Sequence, residues 1–327
     1  MTTMKAVVRT EYCAPEALRV HEVERPEPGP GDVLVRVHAA GVDQGVWHTI
    51  TGLPYLVRLV GFGVRRPKNP LVGMDVAGTV AAVGRDVSRF KPGDAVFGAC
   101  DGSYAEYALA RQDTLVPLPA GTTFERAAAV PVSGLAALQG LRDRGELREG
   151  EEVLIFGAGG GVGTFAVQIA KALGARVTGV CSGAKTELVR SIGADHVIDR
   201  TKEEPTTGSR RYDLILDTGG QRSLASLRRI LRPGGRLVLV GSEVGGRWTG
   251  GAGRQIRAML LSPFVGAKLR GLLSTTREAD LRHLAELIET GALTPVVERS
   301  YPLDEVPAAI AHLRAGRAAG KLVISVA

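Results

Sequence analysis

Gly157, Gly159, Gly160, Gly161 and Gly163 are the residues whose spacing speaks most directly of chemistry. They follow the apolar run Val153-Leu154-Ile155-Phe156 and precede Thr164 to Leu173, good helix formers with apolar residues three and four apart. A continuous apolar run reads as a buried parallel strand, so the order is strand, glycine turn, helix. Gly160 lets the backbone approach a pyrophosphate and Gly163 lets the helix pack on the strand. The helix N-terminus then aims unpaired N–H groups at the anion. Gly160, Gly161 and Val162 are the pyrophosphate candidates. Glycine turns also serve as plain connectors, and the next segment strengthens the dinucleotide reading.

A second strand, Ala175 to Val180, ends roughly 20 positions past the turn, where an acid that binds both ribose hydroxyls of NAD is expected. The chain has Cys181-Ser182-Gly183-Ala184-Lys185 there. Ser182 and Lys185 can meet a 2′-phosphate, with Arg200 after the third strand as a further candidate. Each hydrogen bond to a charged group contributes roughly 1.5–3 kcal/mol, so two favour NADPH by about two to three orders of magnitude. Lys185 and Arg200 also read as ordinary solvated cations.

These residues need a sheet to hold them. From Thr123 onward strands near 153, 176, 196, 213 and 236 alternate with helical pattern, including a helix over 278–290, which predicts an α/β doubly wound parallel sheet. Before residue 123 strands dominate: Lys5 to Arg9, Leu18 to Val23, Asp32 to Ala39 and Ala77 to Val83. Gly320 to Ile324 reads as a further strand. The 327 residues, 44% hydrophobic and 23% charged with 43 glycines, fit two globular domains rich in turns. Val153 to Ala170 carries no charge over 18 residues, but its central glycines argue against a membrane span. The N-terminus opens as a strand without a signal-peptide pattern, and Cys13, Cys100 and Cys181 have no metal or disulfide spacing, so a cytoplasmic protein is expected. The net charge of +7 is dispersed, without a motif for nucleic acid, and reads as a solvated surface that steers an anionic cofactor.

The blocks Gly73-Met74-Asp75-Val76-Ala77-Gly78-Thr79-Val80, Phe90-Lys91-Pro92-Gly93-Asp94-Ala95-Val96-Phe97-Gly98, the glycine turn, Gly193-Ala194-Asp195, Asp213 to Asp217 and Gly320-Lys321 occur in an order specific to one family. On them the whole chain resembles the zinc-independent quinone oxidoreductase, or zeta-crystallin-like, branch of the medium-chain dehydrogenase/reductase superfamily. The resemblance implies a GroES-like β-rich catalytic domain over 1–122, a Rossmann NADP-binding domain over 123–274 and a return to the catalytic domain over 275–327, with the active site in the cleft. It also implies a homodimer paired through Rossmann edge strands. Relatives with catalytic zinc need three protein ligands. The corresponding segments here read Gly41-Val42-Asp43, Gly73-Met74-Asp75 and Val130-Pro131-Val132-Ser133, so no metal is expected, and Asp75 is read as a structural residue.

Without a Lewis acid, an unactivated ketone is a hard hydride acceptor, whereas an enone or quinone yields a delocalised enolate or phenolate that needs only donors and a proton. NADPH-dependent reduction of a quinone or α,β-unsaturated carbonyl is the expected activity. The alternatives are an NADP-dependent alcohol dehydrogenase or carbonyl reductase, and a non-catalytic NADPH- or RNA-binding protein of the zeta-crystallin kind. The family's substrate-facing segment is a loop here from Asp43 to Tyr55; many relatives have Asn and Tyr where this chain has Asp43 and His48. His48 is a proton donor or a ribose or backbone partner, and Trp47 and Tyr55 stack on a flat substrate or pack between domains. By resemblance Ser133 bonds the cofactor, Gly241 and Ser242 flank its nicotinamide half, and Lys321 closes over it.

Overall fold

The computed structural model describes residues 2–241 and 246–326. They form two compact units, one of Met1–Ser133, Thr276–Gly291 and Pro295–Ala327, the other of Gly134–Thr275 and Ala292–Thr294.

The first unit is built on strands. β1 (Thr3–Val8) and β2 (Arg19–Glu24) pair as an antiparallel ribbon. β3 (Asp32–Val42), β4 (Asp75–Val83), β5 (Ala95–Ala99), β6 (Tyr107–Arg111) and β7 (Leu115–Pro117) follow in the chain. The central member is β3, whose Val33, Leu34, Val35, Val37, Ala39, Ala40 and Val42 are all buried. One side of β3 pairs with β4; along the other it pairs with β6 over residues 32–36 and then with the C-terminal strand over 39–42. Only Arg36 of β3 is exposed, so the strand is buried on both faces along most of its length.

In the second unit β8 (Glu152–Phe156), β9 (Arg176–Cys181), β10 (His196–Asp199), β11 (Tyr212–Asp217), β12 (Leu231–Val240) and β13 (Lys268–Leu272) form one parallel sheet in the order β10-β9-β8-β11-β12-β13. The order reverses between β8 and β11, and open sheets of this kind bind ligands at the carboxyl ends of the strands where that happens. The sheet is therefore Rossmann-like, as the periodicity predicted. The first unit takes back the chain for β14 (Val297–Pro302) and β15 (Lys321–Ser325), with β15 seated against β3.

Five helices matter for the sites: α1 (Gln44–Thr51), α2 (Phe124–Ala128), α3 (Pro131–Leu138), α4 (Gly161–Ala172) and α5 (Ala252–Leu261). A helix, a unit boundary and a strand differ from the sequence reading. Residues 44–51 are helical, not loop, because Asp43 supplies an N-cap and Gly52, at φ 61°, a left-handed terminus. The first unit runs to Ser133, so α2 and the first turn of α3 lie with it, eleven residues beyond the division drawn at 122. The sixth strand, β13, was not predicted; its Lys-Leu-Arg-Gly-Leu sequence is half exposed and lacks a β-branched residue.

Candidate functional site

The glycine turn in the second unit is shaped by two close approaches. Gly157 takes φ 76°, and its N–H and that of Ala158 both donate to the Val180 carbonyl of β9, at 3.0 Å each. A methyl group on Gly163 would stand 2.0 Å from the Gly157 carbonyl oxygen and 2.7 Å from the Ala158 Cα, so only glycine lets α4 lie this near the end of β8. Gly160 is different: the nearest atom to a methyl there is 3.4 Å away. Its role is to leave the approach to the N-terminus of α4 clear. Gly161 and Val162 form the first turn of that helix, where N–H groups lack helical acceptors.

Beside this turn lie the residues expected at an adenosine 2′-phosphate. The Lys185 stem runs along Gly159, where a methyl would meet its Cβ at 2.8 Å and its Cδ at 2.9 Å. The backbone N–H of Lys185 donates to the Ser182 carbonyl at 2.8 Å, and that of Arg200 donates to Cys181 at 2.9 Å. Ser182, Lys185 and Arg200 are thus gathered at the carboxyl ends of β9 and β10. The structure adds a residue that the sequence reading passed over, Asp199, which pairs with Cys181 across the strands. Its carboxylate accepts from the Thr201 hydroxyl at 2.6 Å and the Thr201 N–H at 3.0 Å. These bonds, with Lys202 and the Gly183 N–H, hold its pKa below the usual range against some burial. An ionised acid therefore sits in this loop, turned toward the loop's own N–H groups. Gly241 ends β12 at φ 71°; Ser242 lies outside the described residues.

In the first unit, Asp43 caps α1 through Oδ1, which accepts from the Val46 N–H at 3.2 Å. Its Oδ2 is buried without a hydrogen-bond partner among the described residues. His48 donates Nδ1–H to the Leu53 carbonyl at 2.6 Å. A carbonyl only accepts, so the neutral ring carries its proton on Nδ1 and its lone pair on Nε2. The Trp47 ring packs on the core and is covered by the Arg314 guanidinium at 4.1 Å. The Arg58 guanidinium lies between the rings of Tyr55 and Tyr12, at 4.9 and 4.3 Å.

Ser133 and Lys321 meet each other. The Lys321 ammonium, 1% exposed, donates to the Ser133 hydroxyl at 3.1 Å and to Asp75 Oδ2 at 3.4 Å. Asp75 Oδ1 accepts the Val132 N–H at 2.9 Å, which seats the carboxylate on the first turn of α3. Burial lifts the Asp75 carboxyl to about 7; Lys321 opposes this, Asp43 adds to it, and the Val132 N–H opposes it. The spacing of 75, 133 and 321 in sequence gave no sign of this junction, because β4, α3 and β15 converge only through the sheet.

Comparison with known proteins bears on both units. Residues 29–120 match the family described as alcohol dehydrogenase GroES-like domain, and residues 192–324 match the one described as zinc-binding dehydrogenase. The quinone oxidoreductase of Sus scrofa is 34% identical over 340-odd positions, covering 98% of this chain and 97% of that protein. The chain belongs to the medium-chain dehydrogenase/reductase superfamily. Within that superfamily the quinone oxidoreductase structure from Coxiella burnetii superposes with a TM-score of 0.86 at 27% identity, covering both chains fully. A segment of the spectinabilin polyketide synthase system protein NorB of Streptomyces orinoci is 35% identical, covering 90% of this chain, which spans only 13% of that relative's length.

Membership makes the chain an oxidoreductase of the NAD(P)(H)-binding kind, and the open turn at Gly160 with the helix start behind it fits a pyrophosphate. The residues do not fit the zinc of the family's description. The corresponding positions offer a carboxylate at Asp43, a thioether at Met74 and a hydroxyl at Ser133, and the last is bonded by an ammonium that would repel Zn²⁺. Among the described residues no three His, Cys, Asp or Glu side chains gather as a metal site.

Proposed function

We propose that this protein is a zinc-independent, NADPH-dependent reductase of quinones or α,β-unsaturated carbonyl compounds. The observation that carries the reading is the combination of a dinucleotide turn with ligand positions given over to Asp43, Met74 and Ser133. Without a Lewis acid, acceptors whose product anion is already delocalised are the easier ones. The Sus scrofa quinone oxidoreductase, alike over nearly its whole length, supports the same substrate class.

The bound cofactor supplies a hydride to the β-carbon or quinone ring; every other requirement falls on the side chains. Gly160, Gly161 and Val162 would hold the pyrophosphate, with Gly241 at the nicotinamide half. Ser182, Lys185 and Arg200 hold the 2′-phosphate. Asp199 does not reverse this preference, because its oxygens are engaged by Thr201 and Gly183. His48, held by Leu53 through Nδ1, gives the enolate its proton from Nε2 as the imidazolium, which carries a proton on both ring nitrogens, and Tyr55 flanks a planar acceptor, while Trp47, packed on the core beneath Arg314, backs that wall. Ser133 and Lys321 act on the cofactor through the junction with Asp75. A reducing, cytoplasmic setting agrees with three unpaired cysteines. No helix among the described residues is long and apolar enough to cross a membrane.

The test is NADPH oxidation against a panel of quinones, 2-alkenals and cyclic enones, with NADH in parallel and chelator present. Turnover that survives chelation and falls roughly a hundredfold with NADPH, but not with NADH, in Lys185→Ala is the expected result. Turnover of simple secondary alcohols with NADP, and of no enone or quinone, would sink the proposal.

A further inference from the structure

One ion pair in the second unit joins α5 to the sheet at the point where its strand order reverses. Asp217 ends β11 beside Phe156, the last residue of β8, and is 3% exposed. Its Oδ1 accepts the N–H groups of Gly219 and Gly220, both at 3.1 Å, and so folds the chain that leaves β11. Its Oδ2 accepts from Arg254 Nη2 at 2.7 Å, and the same nitrogen donates to the Arg222 carbonyl at 2.8 Å. Between these bonds lies Thr218, whose hydroxyl donates to the Phe156 carbonyl at 2.7 Å and stands 2.3 Å from where a methyl on Gly157 would be. The turn after β11 is therefore built against the first glycine of the dinucleotide motif, and Arg254 holds that turn from outside.

We propose that Arg254 is a positioning residue for the dinucleotide site, fixing through Asp217 the turn on which Gly157 rests and thereby setting the affinity for the cofactor. This rests on the reading that the glycine motif binds a dinucleotide. Arg254 sits nearly a hundred residues beyond that motif, in a helix with no part in the fingerprint. A guanidinium suits the task because the two N–H groups of its Nη2 are fixed in a plane, one toward the carboxylate and one toward the carbonyl, whereas an ammonium does this with less directional control.

The experiment measures dissociation constants for NADPH and NADH by the fluorescence of the reduced nicotinamide, with KM for acceptor and kcat beside them. Arg254→Gln is expected to weaken cofactor binding roughly tenfold, in the middle of the range for coupling between sites, leaving the acceptor KM unchanged. Arg254→Lys is expected to recover part of the loss. Removing one partner of a buried pair strands the other charge, so the deciding variant is Asp217→Asn with Arg254→Met. There the Asn carbonyl still accepts from Gly219 and Gly220 while the tether is gone and no charge is stranded. A folded double variant that still binds weakly supports positioning. A double variant, or Arg254→Gln itself, with wild-type affinity overturns it. Failure of the wild-type chain to bind either nucleotide is a different outcome, which overturns the functional reading and this inference with it.

Discussion

Lys321 could not be left alone where it is: a fully buried ammonium costs several kcal/mol, which only a close carboxylate offsets. Lys321→Met is therefore expected to destabilise the fold above about pH 7, where Asp75 is left without its partner, and little below it, where Asp75 takes up a proton, while Asp75→Leu with Lys321→Met recovers most of the loss, since a buried pair is often no better than an apolar one. Urea unfolding of the three proteins decides this, and an unaffected single variant would sink it. The sign of the pH dependence follows from the upward shift of the Asp75 carboxyl. The folded state holds that proton more tightly than the unfolded chain, so the stability it contributes is full below about 4, the ordinary carboxylate value. It is lost as pH rises through about 7. Unfolding midpoints at pH 5 and 8 should differ in that sense, and the difference should vanish in the double variant. His48 makes a second residue-scale claim, on the reaction. Carbon protonation of an enolate needs a placed donor, worth about 10²–10⁴ in rate, whereas a quinol anion takes its proton on oxygen from water. His48→Phe should depress kcat for enones by at least that lower factor and for quinones little; equal losses on both would remove His48 from proton transfer.

Among the elements, the strand, turn and helix over 152–172 do two separable jobs, and glycine substitutions tell them apart. Gly163→Ala gains about 1 kcal/mol of helix propensity but drives a methyl into backbone atoms that cannot yield, a cost that outweighs the gain. It should lower the thermal midpoint by several degrees. Gly160→Ala meets nothing closer than 3.4 Å, so its midpoint should hold while its KM for the cofactor rises. A reversed pattern would mean that Gly160, not Gly163, joins α4 to the sheet. This segment was also the most legible, because β8 is buried on both faces and α4 keeps one apolar side, so both announce their period. The residues proposed for the cofactor stand out with it, since strand, turn and second strand stand in fixed succession. The first unit's junction was not: Asp75, Ser133 and Lys321 lie on three elements that only antiparallel pairing of β15 and β4 with β3 brings together. Asp43 to Tyr55 reads as a loop because α1 is a short helix, and Asp43, expected in the pocket, is its N-cap. Asp199 escaped notice because it stands on the neighbouring strand from the position where a ribose acid is sought.

At the scale of the whole molecule, the second unit's sheet ends at β13, whose outer edge pairs with no strand among the described residues. An open edge is a template for another chain. Next to it α5 leaves Ile256, Met259 and Leu260 exposed, and Phe264 and Leu273 are more than four-fifths exposed. Apolar residues gathered at one edge in this way mark an association surface. We propose that its occupant is a second copy of this chain, the homodimer that the resemblance implies, since a two-fold axis would bring β13 against its counterpart and the two apolar rows together. The protein is then expected to sediment at twice 34.4 kDa. Met259→Asp with Leu260→Asp should yield monomers, because two carboxylates per copy would have to lose their water in the pairing. These residues are exposed in the chain itself, so the substituted monomer should keep its thermal midpoint at low concentration. A wild-type protein that sediments at 34.4 kDa across micromolar concentrations would leave the β13 edge without its partner and sink the pairing.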